Sequence, residues 1–170
     1  MRMFRTIGLA TAIVLAVAVS AAAQSARPAP ILEAHTGYAG FIDEVWIKRA
    51  IVGGAGRWFV SPRVAIGPEF LYLHGGNGEH DWTLTGNVSF DFWRESELRP
   101  VTPYLIAGGG LLSQTDIVGT GPFTSKDPTF SGGVGARIRL GRRAYIAPEF
   151  RMGFEPTVRI GVTVGVRTGR

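Results

Sequence analysis

The chain has 170 residues, no cysteine, and a formal charge of +5 from 18 lysines and arginines against 13 acidic residues. Beyond its opening segment that length holds one domain and not two of ordinary size, and the missing cysteines exclude disulfides, thiolate metal sites and a lipidated amino-terminal cysteine. The basic residues are scattered through strand-like segments and never form a dense run with exposed aromatics, which argues against nucleic acid as a partner.

Residues 1–23 have the layout of a secretory signal peptide. Arg2 and Arg5 precede an apolar run from Ile7 to Val19, and small Ala21 and Ala23 stand before Gln24. The apolar core is about a dozen residues, short of the roughly 20 that a helix needs to cross a bilayer. Cleavage before Gln24 is the expectation; removing Arg2 and Arg5 brings the charge of +5 down to +3. Residues 24–33 carry Pro28 and Pro30, which interrupt helices and ladders, and read as a periplasmic leader.

From residue 34 to 170 no helical periodicity appears and alternation with period two recurs, so the domain is predicted to be all-β. Segments near His35–Ile42 and Lys48–Val60 are irregular and rich in glycine. In Val64–His74, Val64, Ile66, Pro68, Phe70 and Tyr72 alternate with Ala65, Gly67, Glu69, Leu71 and Leu73. Trp82–Trp93 sets Leu84, Val88 and Phe90 against Thr83, Thr85, Asn87, Ser89 and Asp91. Thr102–Gln114 is again irregular. Phe130–Leu140 opposes Val134, Ile138 and Leu140 to Gly133, Gly135, Arg137 and Arg139, and Ala144–Phe154 repeats the scheme with Glu149 and Arg151 on the polar side. The last strand is the clearest: Val158, Ile160, Val162, Val164 and Val166 alternate with Arg159, Gly161, Thr163, Gly165 and Arg167.

Glycine sharing a face with arginine fits a crowded polar lumen with the greasy face turned to lipid. The inverted arrangement, a soluble periplasmic barrel carrying an apolar ligand, leaves the outer glycines without purpose. About eight strands, an even number, let an up-and-down antiparallel transmembrane barrel close. Tight connections at Ser61–Arg63 and Gly141–Arg143 alternate with longer ones at His74–Asp81 and Thr115–Asp127, as periplasmic turns and outer loops do; Arg94–Val101 is a longish exception. Arg57, Arg63, Ile66, Pro68, Glu69 and Phe70 recur at one spacing as Arg137, Arg143, Ile146, Pro148, Glu149 and Phe150. The two hairpins look related, by duplication or by convergent packing.

The run Pro103-Tyr104-Leu105-Ile106-Ala107-Gly108-Gly109-Gly110, the segment Phe130 to Arg137 and a Pro-Glu-Phe strand resemble the outer-membrane protein β-barrel domain family, of the OmpA transmembrane domain and OmpX kind. The resemblance covers most of the chain beyond the leader. It implies an outer-membrane location, contact with outer-membrane lipid and with the outer-membrane assembly machinery, and no catalytic motif. The end of the chain departs from the pattern: such chains commonly finish on an aromatic residue, and here the last residues are Val166-Arg167-Thr168-Gly169-Arg170.

The residues singled out are Glu69 and Glu149 with Arg57, Arg137, Arg139, Arg151 and Arg159, all expected to face the lumen and to pair there. A barrel of this size has an interior that side chains fill, so a polar core is favoured over a pore. Small outer-membrane enzymes that act on lipid A need a serine nucleophile beside a histidine base. Only His35, His74 and His80 are available, and no serine adjoins them in sequence. His74, His80 and Asp81 in a glycine-rich loop read as solvated surface rather than a metal site. No cofactor is expected, and any ligand of the loops is left open. Trp46, Trp58, Trp82, Trp93, Tyr38, Tyr72, Phe123 and Phe154 fall near strand ends, where rings sit at a bilayer interface.

Overall fold

A computed structural model describes residues 29–42, 46–75, 80–94, 99–118, 121–154 and 157–168. The signal-peptide segment 1–23 therefore lies outside the described residues, as does most of the leader. Eight strands follow one another: β1 (Ile31–Ile42), β2 (Trp46–Phe59), β3 (Val64–His74), β4 (His80–Asp91), β5 (Val101–Val118), β6 (Gly121–Leu140), β7 (Ala144–Gly153) and β8 (Thr157–Arg167). Each pairs antiparallel with its chain neighbours, and β1 pairs with β8 from Ile31 opposite Arg167 to Phe41 opposite Thr157. The result is a closed up-and-down barrel.

Alternation gives the barrel its polarity. In β8, Ile160, Val162, Val164 and Val166 are exposed while Thr163 is buried, and β3, β4, β6 and β7 split the same way. Among the described residues 15 polar or charged side chains are buried, against 12 apolar ones, while Leu, Val, Ile, Phe and Trp side chains cover the outside. That is the reverse of a soluble barrel, whose apolar face must leave water.

Two features differ from the sequence expectation. β1 begins at Ile31, inside the segment read as leader, because Ile31, Glu33 and His35 already alternate inward and pair with β2 and β8. Within the segment Thr115–Asp127 read as a loop, residues 115–118 and 121–127 continue the β5–β6 hairpin, in register to Val118 opposite Gly121, with the Thr115 and Thr124 hydroxyls 3.2 Å apart. The polar residues read as loop signals are side chains of a ladder that needs no apolar face once it has left the barrel wall. Consequently the connections at the β1–β2, β3–β4, β5–β6 and β7–β8 end are short, and the longest connection, residues 92–100, lies at the opposite end with both tight turns, where the sequence placed it.

The repeated motif is a repeated register. Ala55 faces Glu69 and Trp58 faces Ile66 in one hairpin; Gly135 faces Glu149 and Ile138 faces Ile146 in the other. Both ladders skip two residue pairs at the proline, Pro68 or Pro148, which has no N–H to donate. Beside Pro68 the strands approach so closely that a Cβ on Gly67 would stand 1.7 Å from the Gly56 carbonyl oxygen. A Cβ on Gly86, on the outer face, meets nothing. Gly67→Ala should therefore destabilise the barrel by about 1–3 kcal/mol, whereas Gly86→Ala should stay within about 0.5 kcal/mol of the parent. Denaturant unfolding of protein folded in detergent compares the two; equal effects would refute this strand approach.

Candidate functional site

The lumen is built in layers. Toward the end that holds the termini, Ile31, Phe59, Ala65, Tyr104, Ile106, Tyr145 and Ala147 form one buried cluster; toward the other end, Ala39, Ile51, Leu71 and Leu73 form a second. Charged side chains occupy the space between. Glu69, 1% exposed, is the hub: Arg151 grips it with Nη1 at 3.2 Å and Nη2 at 2.9 Å, Arg159 donates from Nη1 at 3.0 Å, and Arg57 from Nη2 at 3.4 Å. Glu149 takes Arg151 Nε at 2.7 Å, Arg159 Nη2 at 3.2 Å and the Tyr104 hydroxyl at 2.8 Å. Two arginines thus bridge two glutamates that come from opposite hairpins.

Strand register explains the convergence. Glu69 stands opposite Ala55 and Thr85, and Glu149 opposite Gly135 and Gly161, so each carboxylate is flanked by small residues that leave room for long guanidinium arms. Tyrosines use the same device. Tyr104 lies across Gly135 and Tyr145 across Gly165, each ring occupying the place where a Cβ would sit.

Of the residues singled out from sequence, Glu69, Glu149, Arg57, Arg151 and Arg159 come together here. Arg137 stands apart from them: it binds Asp91, reaches Ser89 Oγ at 3.4 Å and lies 4.2 Å over the Tyr104 ring. Arg139 does not join the network. Although it lies on the same face of β6, it is two residues nearer the strand end, is only partly buried, and lines a cavity at the barrel mouth without an ion pair to any described carboxylate. The expected pairing of Arg139 is corrected accordingly: at the mouth, water solvates a guanidinium and no burial forces a partner on it.

Sequence reasoning missed Glu33, which binds Arg57 Nε at 2.8 Å and the Tyr145 hydroxyl. It also missed His35, whose Nδ1 is 2.7 Å from Thr163 Oγ1 and whose Nε2 lies 3.5 Å from Glu33 and 3.6 Å from Glu69. Asp91 and Asn87 were placed on the polar face without partners; Asn87 accepts from Arg151 at 3.1 Å. Asp81, read as part of a solvated loop, is buried in β4 and pairs with Arg49 at 2.8 Å. His74 and His80 face each other across the β3–β4 ladder, and the His80 ring stacks on Tyr72. Glu79 and the side chains of Trp46 and Phe123 lie outside the described residues.

The carboxylates of this belt are bound by guanidinium or phenol groups; one apolar cluster covers it on the terminal side, and on the other a cavity of about 70 Å³ between Ala39, Ile51, Leu71 and Leu73 reaches Glu69, Arg151 and Arg159. Chemically the arrangement holds charge in place. A closed antiparallel barrel of eight strands, charged inside and apolar outside, is the architecture of small bacterial outer-membrane barrels. No family model matches the chain, and no curated protein matches it in sequence. Solved structures do. The chain is similar to Neisserial surface protein A, with a TM-score of 0.73 at 11% identity over 85% of this chain and 100% of that one. It is similar to the N-terminal β-barrel domain of OprF from Pseudomonas aeruginosa, at 0.67 and 14% over 84% and 100%. It also resembles Ail of Yersinia pestis, solved with the heparin analogue sucrose octasulfate, at 0.55 and 10% over 83% and 99%. At these identities the likeness is one of fold.

Glu69→Gln should remove one of the two carboxylates that hold each of Arg57, Arg151 and Arg159, leave their buried charge under-compensated, and cost about 3–5 kcal/mol. Arg139→Gln at the wetter mouth should cost less than about 1 kcal/mol. Unfolding midpoints in detergent measure both, and a Glu69→Gln loss as small as that of Arg139→Gln would show that the belt is not sealed from water.

Proposed function

We propose that this chain is an exported, non-enzymatic outer-membrane barrel whose role is structural. The observation that carries the proposal is the uninterrupted apolar exterior around a charged interior: Leu32, Val52, Leu84, Leu105, Val134, Phe150 and Ile160, one or more from nearly every strand, are all exposed. Such a surface is stable against lipid hydrocarbon and unstable in water. Aromatic rings support it at both rims, with Trp58, Phe92 and Trp93 near the tight-turn end and Tyr38, Tyr72 and Phe154 near the other.

On this reading the tight-turn end faces the periplasm, residues 1–23 direct export and are cleaved before Gln24, and the assembly machinery inserts the barrel into outer-membrane lipid. The Glu69–Glu149–arginine belt stabilises the lumen and closes it to ions. The β5–β6 hairpin, which outgrows β4 and β7, is the part that reaches surface partners. The rival reading, an enzyme acting on lipid A, is disfavoured at His35, which is buried in the lumen and whose hydroxyl partner is a threonine.

Two outcomes test the proposal. The protein should fractionate with membranes and run with heat-modifiable mobility, and Val162→Arg should weaken folding into lipid vesicles by about 2–4 kcal/mol, because the charge would meet hydrocarbon, while Val162→Leu should not. A soluble protein indifferent to Val162→Arg would be the apolar-ligand carrier instead. Amino-terminal sequencing of the membrane-fraction protein should begin at Gln24, and an intact Met1 would refute the cleavage.

A further inference from the structure

The two ends of the barrel differ in charge. The connections at the β1–β2, β3–β4, β5–β6 and β7–β8 end contain Asp43, Glu44, Glu79 and Glu155 and no lysine or arginine. At the opposite end the connections contain Arg63, Arg94, Arg99, Arg142 and Arg143 against Glu95 and Glu97. The fold concentrates this excess. Gly141, at a φ of 88°, makes the three-residue turn that sets Arg142 and Arg143 at the rim. The last inward residues of β6 and β8 add Arg139 and Arg167, and Arg99, lying 4.9 Å over the Trp93 ring, precedes β5.

These five side chains and the buried Arg137 line one cavity of about 40 Å³. Asp91, the described carboxylate on its wall, is already bound to Arg137. Arg137 is more than nine-tenths buried, yet its Nε has no hydrogen-bond partner. So many cations within a Debye length repel one another, and a buried guanidinium donor without an acceptor is costly. Neither the lumen belt nor the lipid-facing surface accounts for Arg139, Arg142 and Arg143.

From this convergence we infer that the mouth is a binding site for phosphate-bearing anions. Planar guanidinium forks match phosphate oxygens with two parallel N–H donors, and the cavity volume suits one tetrahedral oxyanion. The group comes either from a free phosphate or from the headgroup of an anionic phospholipid; only this second source rests on the membrane reading above.

The test uses the full barrel folded in an uncharged detergent and titrated calorimetrically with inorganic phosphate, pyrophosphate and short-chain phosphatidylglycerol, with phosphatidylcholine as the control of equal chain length. Saturable binding of at least one anion is expected, weakened roughly tenfold by Arg139→Gln and again by Arg143→Gln, the loss of a charge-assisted hydrogen bond, and weakened further by added salt. Both substitutions sit at the rim, and retained heat-modifiable mobility confirms that the variants are folded. Binding of the inorganic anions alone would identify free phosphate as the source; preference for phosphatidylglycerol over phosphatidylcholine would identify the headgroup. No saturable binding in a barrel that keeps its mobility shift, or binding indifferent to both substitutions, would overturn the site while leaving the membrane reading intact. Binding that appears only after Glu95→Gln and Glu97→Gln would also overturn it, since the mouth would then be neutralised by its own connection.

Discussion

Burying charge inside a closed wall is the constraint from which most of this structure follows. The outside of the barrel is apolar, so polar side chains have only the lumen, and an eight-stranded lumen is too narrow to bring bulk water with them. An isolated carboxylate or guanidinium in such a place is prohibitively costly, whereas a hydrogen-bonded cluster is not. Glu69 therefore meets Arg57, Arg151 and Arg159, and Glu149 meets Arg151, Arg159 and Tyr104. Because these partners come from five different strands, the network also fixes the strands' relative placement: a one-residue slip of any of them would turn its charge into the hydrocarbon.

Backbone design serves the same end. Arginine and tyrosine side chains are long, and the interior holds them only where facing positions are small. Gly135 and Gly165 beneath the tyrosine rings, and Ala55 and Gly161 beside the glutamates, leave that space. The two hairpins that carry Pro-Glu-Phe solve the problem in the same register, yet their surroundings differ. Arg57 turns to Glu33, while its counterpart Arg137 turns to Asp91 and lies over Tyr104. A shared framework thus ends in two different local pairings, one in the middle of the lumen and one beneath the mouth.

The mouth and the belt contrast in what burial does to the same residue type. Arginines of the belt are satisfied by carboxylates and hydroxyls from across the barrel, so they hold the fold together and have little left for a ligand. Arg139, Arg142 and Arg143 at the rim are partly or fully exposed, are gathered by a turn and a strand end, and outnumber the described carboxylates around them. Position along the barrel axis, more than residue identity, separates a structural arginine from one available to an anion.

Alternation with period two was enough, from sequence, to assign β3, β4, β6, β7 and β8 and to say which face of each points inward, since a strand's side chains have no other choice once one face must be apolar. Glu69, Glu149, Arg57, Arg151 and Arg159 were legible for that reason. Glu33 and His35 were not, because β1 is short on alternating bulk and starts next to two prolines; its facing is set by pairing with β2 and β8, contacts that close only when the ends of the chain meet. The β5–β6 extension was hidden for a related reason: beyond the barrel wall a ladder has no lipid or core to face and so carries no apolar signature. Sequence determined the strands, their polarity and the charges that had to be buried, as local chemistry dictates. Which arginine met which carboxylate, and that Arg139 met none described, was decided by closure of the barrel, because partners up to 90 residues apart, such as Arg159 and Glu69, become neighbours only through the register of eight strands.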